Sequence, residues 1–176
     1  MPAILSKRNL KLALAILAPI LAIIIVILAL PRPAIRSVGK VSYTASSAKN
    51  PASGSAKAFD GDLKTAWVPG KTSDPRFESI QASWSEPVLV SGIRLINGYA
   101  SDKNTYSYGA KLRTARILLS DYSSYYWSLK EDEPGMQELS FSQTHDVRWI
   151  KIIIHSVYKG TTEPPEEVGI AEIEFF

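Results

Sequence analysis

The pattern of hydrophobic and polar positions divides the chain into an apolar N-terminal stretch and a longer mixed stretch. Residues 12–30 read LALAILAPILAIIIVILAL, which is 19 residues without a charged or hydroxylated side chain. Because about 20 apolar helical residues span a bilayer core about 30 Å thick, this run predicts a transmembrane helix over 12–30. Residues 1–11 then form a cytoplasmic tail, and residues 31–40, with two prolines, form a linker to one domain over 41–176.

A cleaved signal peptide is the main alternative to this anchor, since it also has a basic start and an apolar middle. The apolar run is longer than the usual h-region of about 7–15 residues, and it ends in Leu-Ala-Leu-Pro rather than in a small-x-small site. We therefore expect an uncleaved anchor in a bacterial cytoplasmic membrane, with the N-terminus inside and the domain outside. Orientation does not follow from charge alone, because three basic residues stand on each side of the run: Lys7, Arg8, Lys11, Arg32, Arg36 and Lys40.

The mixed stretch from residue 40 onward alternates short β-branched and aromatic runs with clusters of turn-forming residues, without a helical period. About eight short strands in one domain predict an all-β fold, namely a single antiparallel β-sandwich of the jelly-roll type. The predicted strands are 40–44, 79–85, 88–96, 112–119, 125–129, 137–141, 147–158 and 168–176.

The excess positive charge of the chain lies in its first 30 residues. The formal net charge is +3, and the first 30 residues contain three basic side chains and no acidic one, so 17 basic and 17 acidic residues remain. A charge-balanced domain argues against nucleic-acid binding, which usually requires a basic patch. The chain has no cysteine, which excludes disulfides, zinc-thiolate clusters and a thiol nucleophile.

The motif AFDGDLKTAW, residues 58–67, is a candidate cation loop. Two carboxylates, a hydroxyl and backbone carbonyls in one irregular loop are the hard oxygen ligands that calcium prefers. The alternative is that Asp-Gly forms an ordinary tight turn. The spacing of acidic residues does not match an EF-hand.

Three stretches of the sequence together carry a family resemblance: AFDGDLKTAWVPG, IRLINGYASDKNTYSYGAKLRTARILLS and VYKGTTEPPEEVGIAEIEFF. In their order and spacing they resemble the discoidin-like, galactose-binding-like jelly roll. Within that superfamily the chain is similar to the glycan-binding domain appended to bacterial NAD glycohydrolases. The resemblance covers residues 42–176.

The resemblance implies a structural calcium ion that ties an early loop to the last strand. The implied ligands are the side chains of Asp60, Asp62, Thr65 and Glu172, with backbone oxygens near Lys57 and Ala171. For Glu172 the alternative is a solvated strand residue. We interpret Trp67, directly after the loop, as a packing residue rather than a ligand platform.

A carbohydrate site needs aromatic faces for stacking and planar polar groups for the sugar hydroxyls. Two stretches rich in tyrosine and tryptophan, 97–113 and 120–127, supply such groups, although some of these tyrosines fit cross-strand pairs equally well. The relatives tend to have an asparagine where this chain has Lys111. The candidate ligand-binding residues are Asn97, Tyr99, Tyr106, Tyr108, Arg113 and Trp127.

Catalysis has no support in the sequence. The two histidines, His145 in a predicted turn and His155 in a predicted strand, stand near no nucleophile motif, and no phosphate loop or HExxH is present. We therefore expect a binding module for carbohydrate or a protein partner at the cell surface. The alternative is an accessory subunit of a larger membrane complex with no ligand of its own. The short linker favours the subunit, and the resemblance favours the carbohydrate.

Overall fold

The structure, a computed structural model, describes residues 40–70, 74–99, 109–160 and 167–176. The predicted cytoplasmic tail 1–11, the predicted transmembrane helix 12–30 and the predicted linker up to residue 39 lie outside the described residues. Across the four described ranges, no helix is long and apolar enough to cross a membrane.

The described part of the chain is all-β, and every strand pair is antiparallel. Two short 3-10 helices, Pro51–Ser53 and Ser55–Ala58, lie between the first two strands. The strands are β1 (Val41–Ala45), β2 (Ser79–Asn97), β3 (Lys111–Leu119), β4 (Ser124–Ser128), β5 (Met136–Tyr158) and β6 (Ile170–Phe175).

The prediction of about eight strands is wrong in number, because two long strands each replace a pair of predicted short ones. The predicted strands 79–85 and 88–96 are both part of β2, and 137–141 and 147–158 are both part of β5. The pairing of β2 with β5 shifts register between Ser83 and Val88 and again between Val90 and Gly92. The polar residues at these points therefore form bulges that bend a continuing strand, rather than turns that end it.

The bends place the two halves of each long strand in different layers. One layer contains β1, the first half of β2, the second half of β5, β3 and β4, and the other contains β6, the second half of β2 and the first half of β5. The layers meet where the ring of Tyr125 on β4 stacks on that of Phe141 on β5, with centroids 4.5 Å apart. The predicted antiparallel β-sandwich is thus confirmed, and the arrangement is consistent with a jelly roll.

Alternation along the strands fills the core between the layers. Ile150, Ile152 and Ile154 of β5 are buried, and the residues between them are half-buried, as a strand with one core face requires. Burying such side chains stabilises the fold by about 1.5–3 kcal/mol each. The core also includes Trp67, whose indole N–H donates to the Ser47 carbonyl at 2.9 Å, so the interpretation of Trp67 as a packing residue is confirmed.

Candidate functional site

The loop around Asp60 brings most of the predicted cation ligands together. The Thr65 hydroxyl lies 3.0 Å from each carboxylate oxygen of Asp60, 3.0 Å from the Asp62 carbonyl and 3.3 Å from the Lys57 carbonyl. Gly61, between the two aspartates, has φ +72°, a left-handed conformation that glycine adopts without steric cost. The sequence Asp-Gly-Asp therefore makes a tight turn that gathers oxygen atoms around Thr65.

Glu172 joins this loop from β6. Its side chain accepts the Gly61 amide at 2.9 Å, a contact between residues 111 positions apart in the sequence. Glu172 is 7% exposed, and the neighbouring Ala171 is fully buried. The alternative of a solvated strand residue is wrong for Glu172, because its carboxylate faces the loop.

The two carboxylates have opposite pKa shifts. Burial raises the pKa of Glu172, the negative charges of Asp60 and Glu174 raise it further, and the Gly61 amide opposes the rise. For Asp60, partial burial also acts to raise the pKa, but hydrogen bonds from the Asp62 amide, Thr65 and Lys57 outweigh it and lower the pKa. Glu172 is therefore the less compensated of the two charges.

These donors fit a hard cation in type, because they combine carboxylate, hydroxyl and carbonyl oxygens. In the structure, the Lys57 ammonium lies 3.2 Å from the Asp60 carboxylate and balances its negative charge. The Asp62 carboxylate accepts the Lys64 amide at 3.0 Å. Within the part of the chain that the structure describes, no group of three His, Cys, Asp or Glu side chains is arranged to hold a metal ion.

Asn97 and Trp127, both predicted to contact a ligand, lie inside the fold instead. Asn97 is fully buried, and its side-chain amide donates to the Leu112 carbonyl and accepts the Leu112 N–H, both at 2.8 Å. Trp127 is 6% exposed and belongs to the hydrophobic core. Both side chains therefore serve packing, because the alternation of β4 turns Trp127 inward and Asn97 bonds the backbone of β3.

Of the next two predicted residues, Arg113 is exposed and Tyr99 is half-buried. Arg113 is exposed and stands at a register shift between β3 and β5, with its guanidinium carbon 5.7 Å from the ring centroid of Tyr158. The Tyr99 hydroxyl donates to the Lys64 carbonyl at 3.0 Å. Tyr106 and Tyr108 lie outside the described residues. Among the described residues of the predicted set, Arg113 is the exposed one, and the ring of Tyr158 lies beside it.

A hydrogen-bonded chain of Asp121, His145 and Tyr125 is a polar feature that the sequence analysis missed. The Asp121 carboxylate lies 2.6 Å from His145 Nδ1, and His145 Nε2 lies 2.6 Å from the Tyr125 hydroxyl. The prediction that His145 stands in a turn is wrong, since it is buried within β5. The three residues connect the β3–β4 turn to the bend of β5, a long-range relation that no local motif signals.

Solved structures share the fold of this antiparallel sandwich. A family 32 carbohydrate-binding module from Clostridium perfringens NanJ, solved with galactose, matches with TM-score 0.58 and 18% identity over 77% of this chain and 92% of that one. The corresponding module of AlyQ, solved with 4,5-unsaturated mannuronic acid, matches with TM-score 0.60 and 16% identity over 82% and 98%. Identities this low show the fold alone.

The family follows from the sequence itself. The family described as the NAD glycohydrolase translocation F5/8 type C domain matches residues 34–176, and the chain belongs to that family. A third solved structure, an F5/8 type C domain from Bacteroides fragilis, matches with TM-score 0.58 and 18% identity over 77% of this chain and 89% of that one. No curated protein sequence matches significantly.

Proposed function

We propose that this protein is a non-catalytic binding module that recognises carbohydrate outside the cytoplasmic membrane. The observation that carries the proposal is the presentation of Arg113. The Asn97 amide holds the backbone of Leu112 with two buried hydrogen bonds, and the next residue, Arg113, extends into solvent beside Tyr158. A fixed planar cation next to an aromatic ring offers both kinds of contact that a sugar requires.

The neighbours in fold support a carbohydrate ligand. The NanJ module was solved with galactose, and another Clostridium perfringens module was solved with GalNAc-β-1,3-galactose. Because fold similarity does not transfer a ligand, the choice of sugar rests on binding measurements. Modules of this kind bind without catalysis, and we propose the same for this protein.

A titration of the full chain with galactose and with GalNAc-β-1,3-galactose, complemented by a glycan array, tests the proposal. We expect Arg113→Ala to weaken binding at least tenfold, because the variant loses the planar cation. Lys130→Ala, which removes an exposed surface cation after β4, is the matched control and should bind as the wild type does. A wild-type protein that binds no glycan on the array refutes the proposal.

For the membrane, we propose that residues 12–30 anchor the protein as a single-pass helix in a bacterial membrane, with the N-terminus inside and the domain outside. The uninterrupted apolar run supports this anchor. Extraction of membranes at alkaline pH tests the anchor, since an integral protein stays in the pellet. Protease added to intact spheroplasts tests the orientation, and a domain that resists cleavage there would contradict it.

A second candidate function is that of an accessory subunit in a larger membrane complex. It is favoured by the ten-residue linker 31–40, which reaches at most about 30–35 Å and would keep the domain close to the bilayer. Sizing in mild detergent separates the two functions. A protein that runs alone contradicts the subunit role, and co-migration with another membrane protein supports it.

We also propose a structural calcium ion held by Asp60, Thr65 and Glu172, with the Lys57 carbonyl as a further oxygen donor. The convergence of the Asp60 loop and β6 supports this site. Asp62 and the backbone near Ala171 complete the ligand set that the family resemblance implies. Bound calcium would neutralise Glu172 and join the early loop to β6.

A further inference from the structure

Phe77 has an unusual backbone conformation for a large side chain. Its φ is +71°, in the left-handed region where a bulky residue is a steric outlier, and its side chain is 77% exposed. The Phe77 amide donates to the Ile154 carbonyl at 2.8 Å, and the Ile154 amide donates to the Glu78 carbonyl at 2.9 Å. Two residues thus face one across the strand pair, which is a β-bulge of the type whose left-handed position is usually glycine.

This arrangement costs stability without benefiting the core. An exposed phenyl ring gains little from the hydrophobic effect, and glycine would relieve the strain at the same position. Strain of this kind, held in place by the surrounding hydrogen bonds, is concentrated at functional sites. The bulge therefore stands next to the part of β5 whose outward residues are Ile153 and His155.

That surface carries a second cation–aromatic group. On β3, Arg116 stands opposite Tyr126 of β4 and Ile153 of β5, and its guanidinium carbon lies 6.0 Å from the Tyr126 ring centroid. The ring of His155 meets that of Tyr126 edge to face, with centroids 5.6 Å apart. Arg116 and His155 are exposed, and Tyr126 is 61% exposed. We call Phe77, Arg116, Tyr126, Lys151 and His155 the outer-face cluster.

Lys151 belongs to this cluster because of the alternation of β5. It stands on the same side of the strand as Ile153 and His155, opposite the side of the buried Ile150, Ile152 and Ile154. In register it faces Leu118 of β3 and Gln81 of β2. The cluster therefore extends across several neighbouring strands of the five-stranded layer.

The strand segments around the outer-face cluster contain no carboxylate, and Glu86 of β2 and Asp146 of β5 lie just beyond them. Residues 41–45, 79–85, 111–119, 124–128 and 147–158 include five lysines and arginines and no aspartate or glutamate, although the chain beyond residue 30 is charge-balanced. Of these five cations, Lys111 is buried and Arg113 lies at the other proposed site, whereas Arg116 and Lys151 belong to the outer-face cluster. Cations with no acid in the same segments are electrostatically complementary to an anionic ligand. The equal numbers of acidic and basic residues beyond residue 30 disfavour a ligand as densely charged as nucleic acid.

We propose that the outer-face cluster is a second binding surface, separate from Arg113, that takes an acidic polysaccharide. The carboxylates of the polysaccharide pair with Arg116 and Lys151, and the sugar rings stack on Tyr126 and Phe77. A sheet face that presents separate rings and cations on neighbouring strands suits an extended polymer of charged sugars. An anionic bilayer would instead engage several apolar side chains inserted together, and this cluster has one exposed phenyl ring.

The test uses the full chain in non-ionic detergent with polygalacturonate oligomers as the probe and their methyl esters as the uncharged comparison. We expect binding of the acid form, weakened at least tenfold by raised salt, by Arg116→Ala and by Tyr126→Ala. Phe77→Gly should weaken binding while leaving the melting temperature unchanged or higher, a combination that a purely structural residue would not produce. Arg113→Ala and Lys130→Ala should bind the probe as the wild type does.

Several results would overturn this proposal. These are the absence of polygalacturonate binding by the wild type, equal binding of the methyl ester, and full binding by the Arg116→Ala/Tyr126→Ala double variant. Binding only to vesicles containing phosphatidylserine, lost in the same double variant, would assign the surface to a membrane and reject the polysaccharide. Loss of polygalacturonate binding in Arg113→Ala would show that Arg113 and the outer-face cluster form one binding surface, and it would reject a separate second surface. The galactose titration remains an independent measurement, because it depends on Arg113 and not on Arg116.

Discussion

The side-chain amide of Asn97 forms a closed ring with the backbone of Leu112, accepting its N–H and donating to its carbonyl at 2.8 Å each. The ring joins the end of β2 to the start of β3, and both residues are fully buried. Asn97 therefore takes the place of a strand neighbour for Leu112, and it fixes the backbone from which Arg113 extends.

Replacing Asn97 should destabilise the protein. Asn97→Ala leaves the N–H and the carbonyl of Leu112 buried without partners, and each such group costs about 1–3 kcal/mol. We expect the urea midpoint to fall with little change in the m-value. Ser128→Ala, an exposed substitution on β4, is the control. A free energy of unfolding within about 0.5 kcal/mol of the wild type would contradict the importance of the ring.

Calcium should raise the melting temperature of the wild type. Calcium at about 100 times its Kd stabilises the folded state by about 2.7 kcal/mol, which corresponds to a shift of about 5–10 °C for a protein of this size. Thermal melts with calcium and with chelator measure the shift. Asp60→Ala should abolish the response, whereas Asp62→Asn tests whether that carboxylate is a ligand. Identical wild-type midpoints in both buffers would argue against the ion.

Glu172→Gln tests how the charge of this carboxylate affects stability with and without calcium. The pKa of Glu172 is raised in the folded state by burial and by Asp60, so its ionisation removes stability as pH rises from the ordinary value through the raised one. Glutamine can still accept the Gly61 amide and carries no charge. In chelator at neutral pH, Glu172→Gln should therefore be at least as stable as the wild type, and it should lose the calcium response. A large destabilisation in chelator would contradict this account.

The Asp121–His145–Tyr125 chain should contribute to the acid sensitivity of the protein. For Asp121 partial burial acts to raise the pKa, but hydrogen bonds from Ser123 and His145 outweigh it and lower the pKa. Its stabilising effect is therefore complete above the ordinary pKa of an aspartate and is lost as pH falls through the lowered value. We expect Asp121→Asn to be less stable than the wild type by about 1 kcal/mol at neutral pH, with a smaller difference in acid.

The measurement for this chain is the free energy of unfolding of both proteins across the acid range. Asp146→Asn, which removes an exposed carboxylate one position from His145, is the matched control and should follow the wild type. A difference between Asp121→Asn and the wild type that stays constant down to the lowest pH would contradict the assigned role.

Gly92 should not tolerate a side chain. A Cβ atom built there would lie 2.2 Å from the ring of Phe176 and 2.5 Å from the backbone carbonyl of Leu139. The carbonyl cannot move without disturbing the pairing of β2 with β5. We expect Gly92→Ala to lower the free energy of unfolding by about 1–3 kcal/mol. Chemical denaturation measures this change. Gly135→Ala, with only a side-chain oxygen at 3.7 Å, is the control and should be close to neutral.

The sequence predicts which segments form strands well, and it predicts less well which of these segments join into one continuous strand. Alternation identifies most strand residues, since a half-buried strand repeats every two positions, but it misses residues 142–146 of β5. It cannot distinguish a bulge from a turn, because Ser85 and Glu86 are polar in both. The sandwich is thus predictable from local pattern, while the continuity of β2 and β5 depends on pairing between residues far apart in the chain.

The candidate-site residues likewise divide into those that a motif predicts and those that depend on contacts between distant parts of the chain. Asp60, Thr65 and Glu172 are brought together as the family resemblance implies, because the motif and its partner strand occur in a fixed order. Asn97 and Trp127, predicted as ligand contacts, are buried, since residue type alone does not indicate which way a side chain points. Nothing in the local sequence signals the contact between Asp121 and His145, 24 positions apart.

The continuity of β2 and β5 through both layers has a consequence for how the protein unfolds. Neither layer can separate without withdrawing two strands from the other, so the sandwich has no internal boundary along which half of it could open. Slowly exchanging amides should therefore be distributed over both layers and released together in one global event. The long sequence separation of the paired strands also implies slow folding, because the loops must close before the pairing is formed.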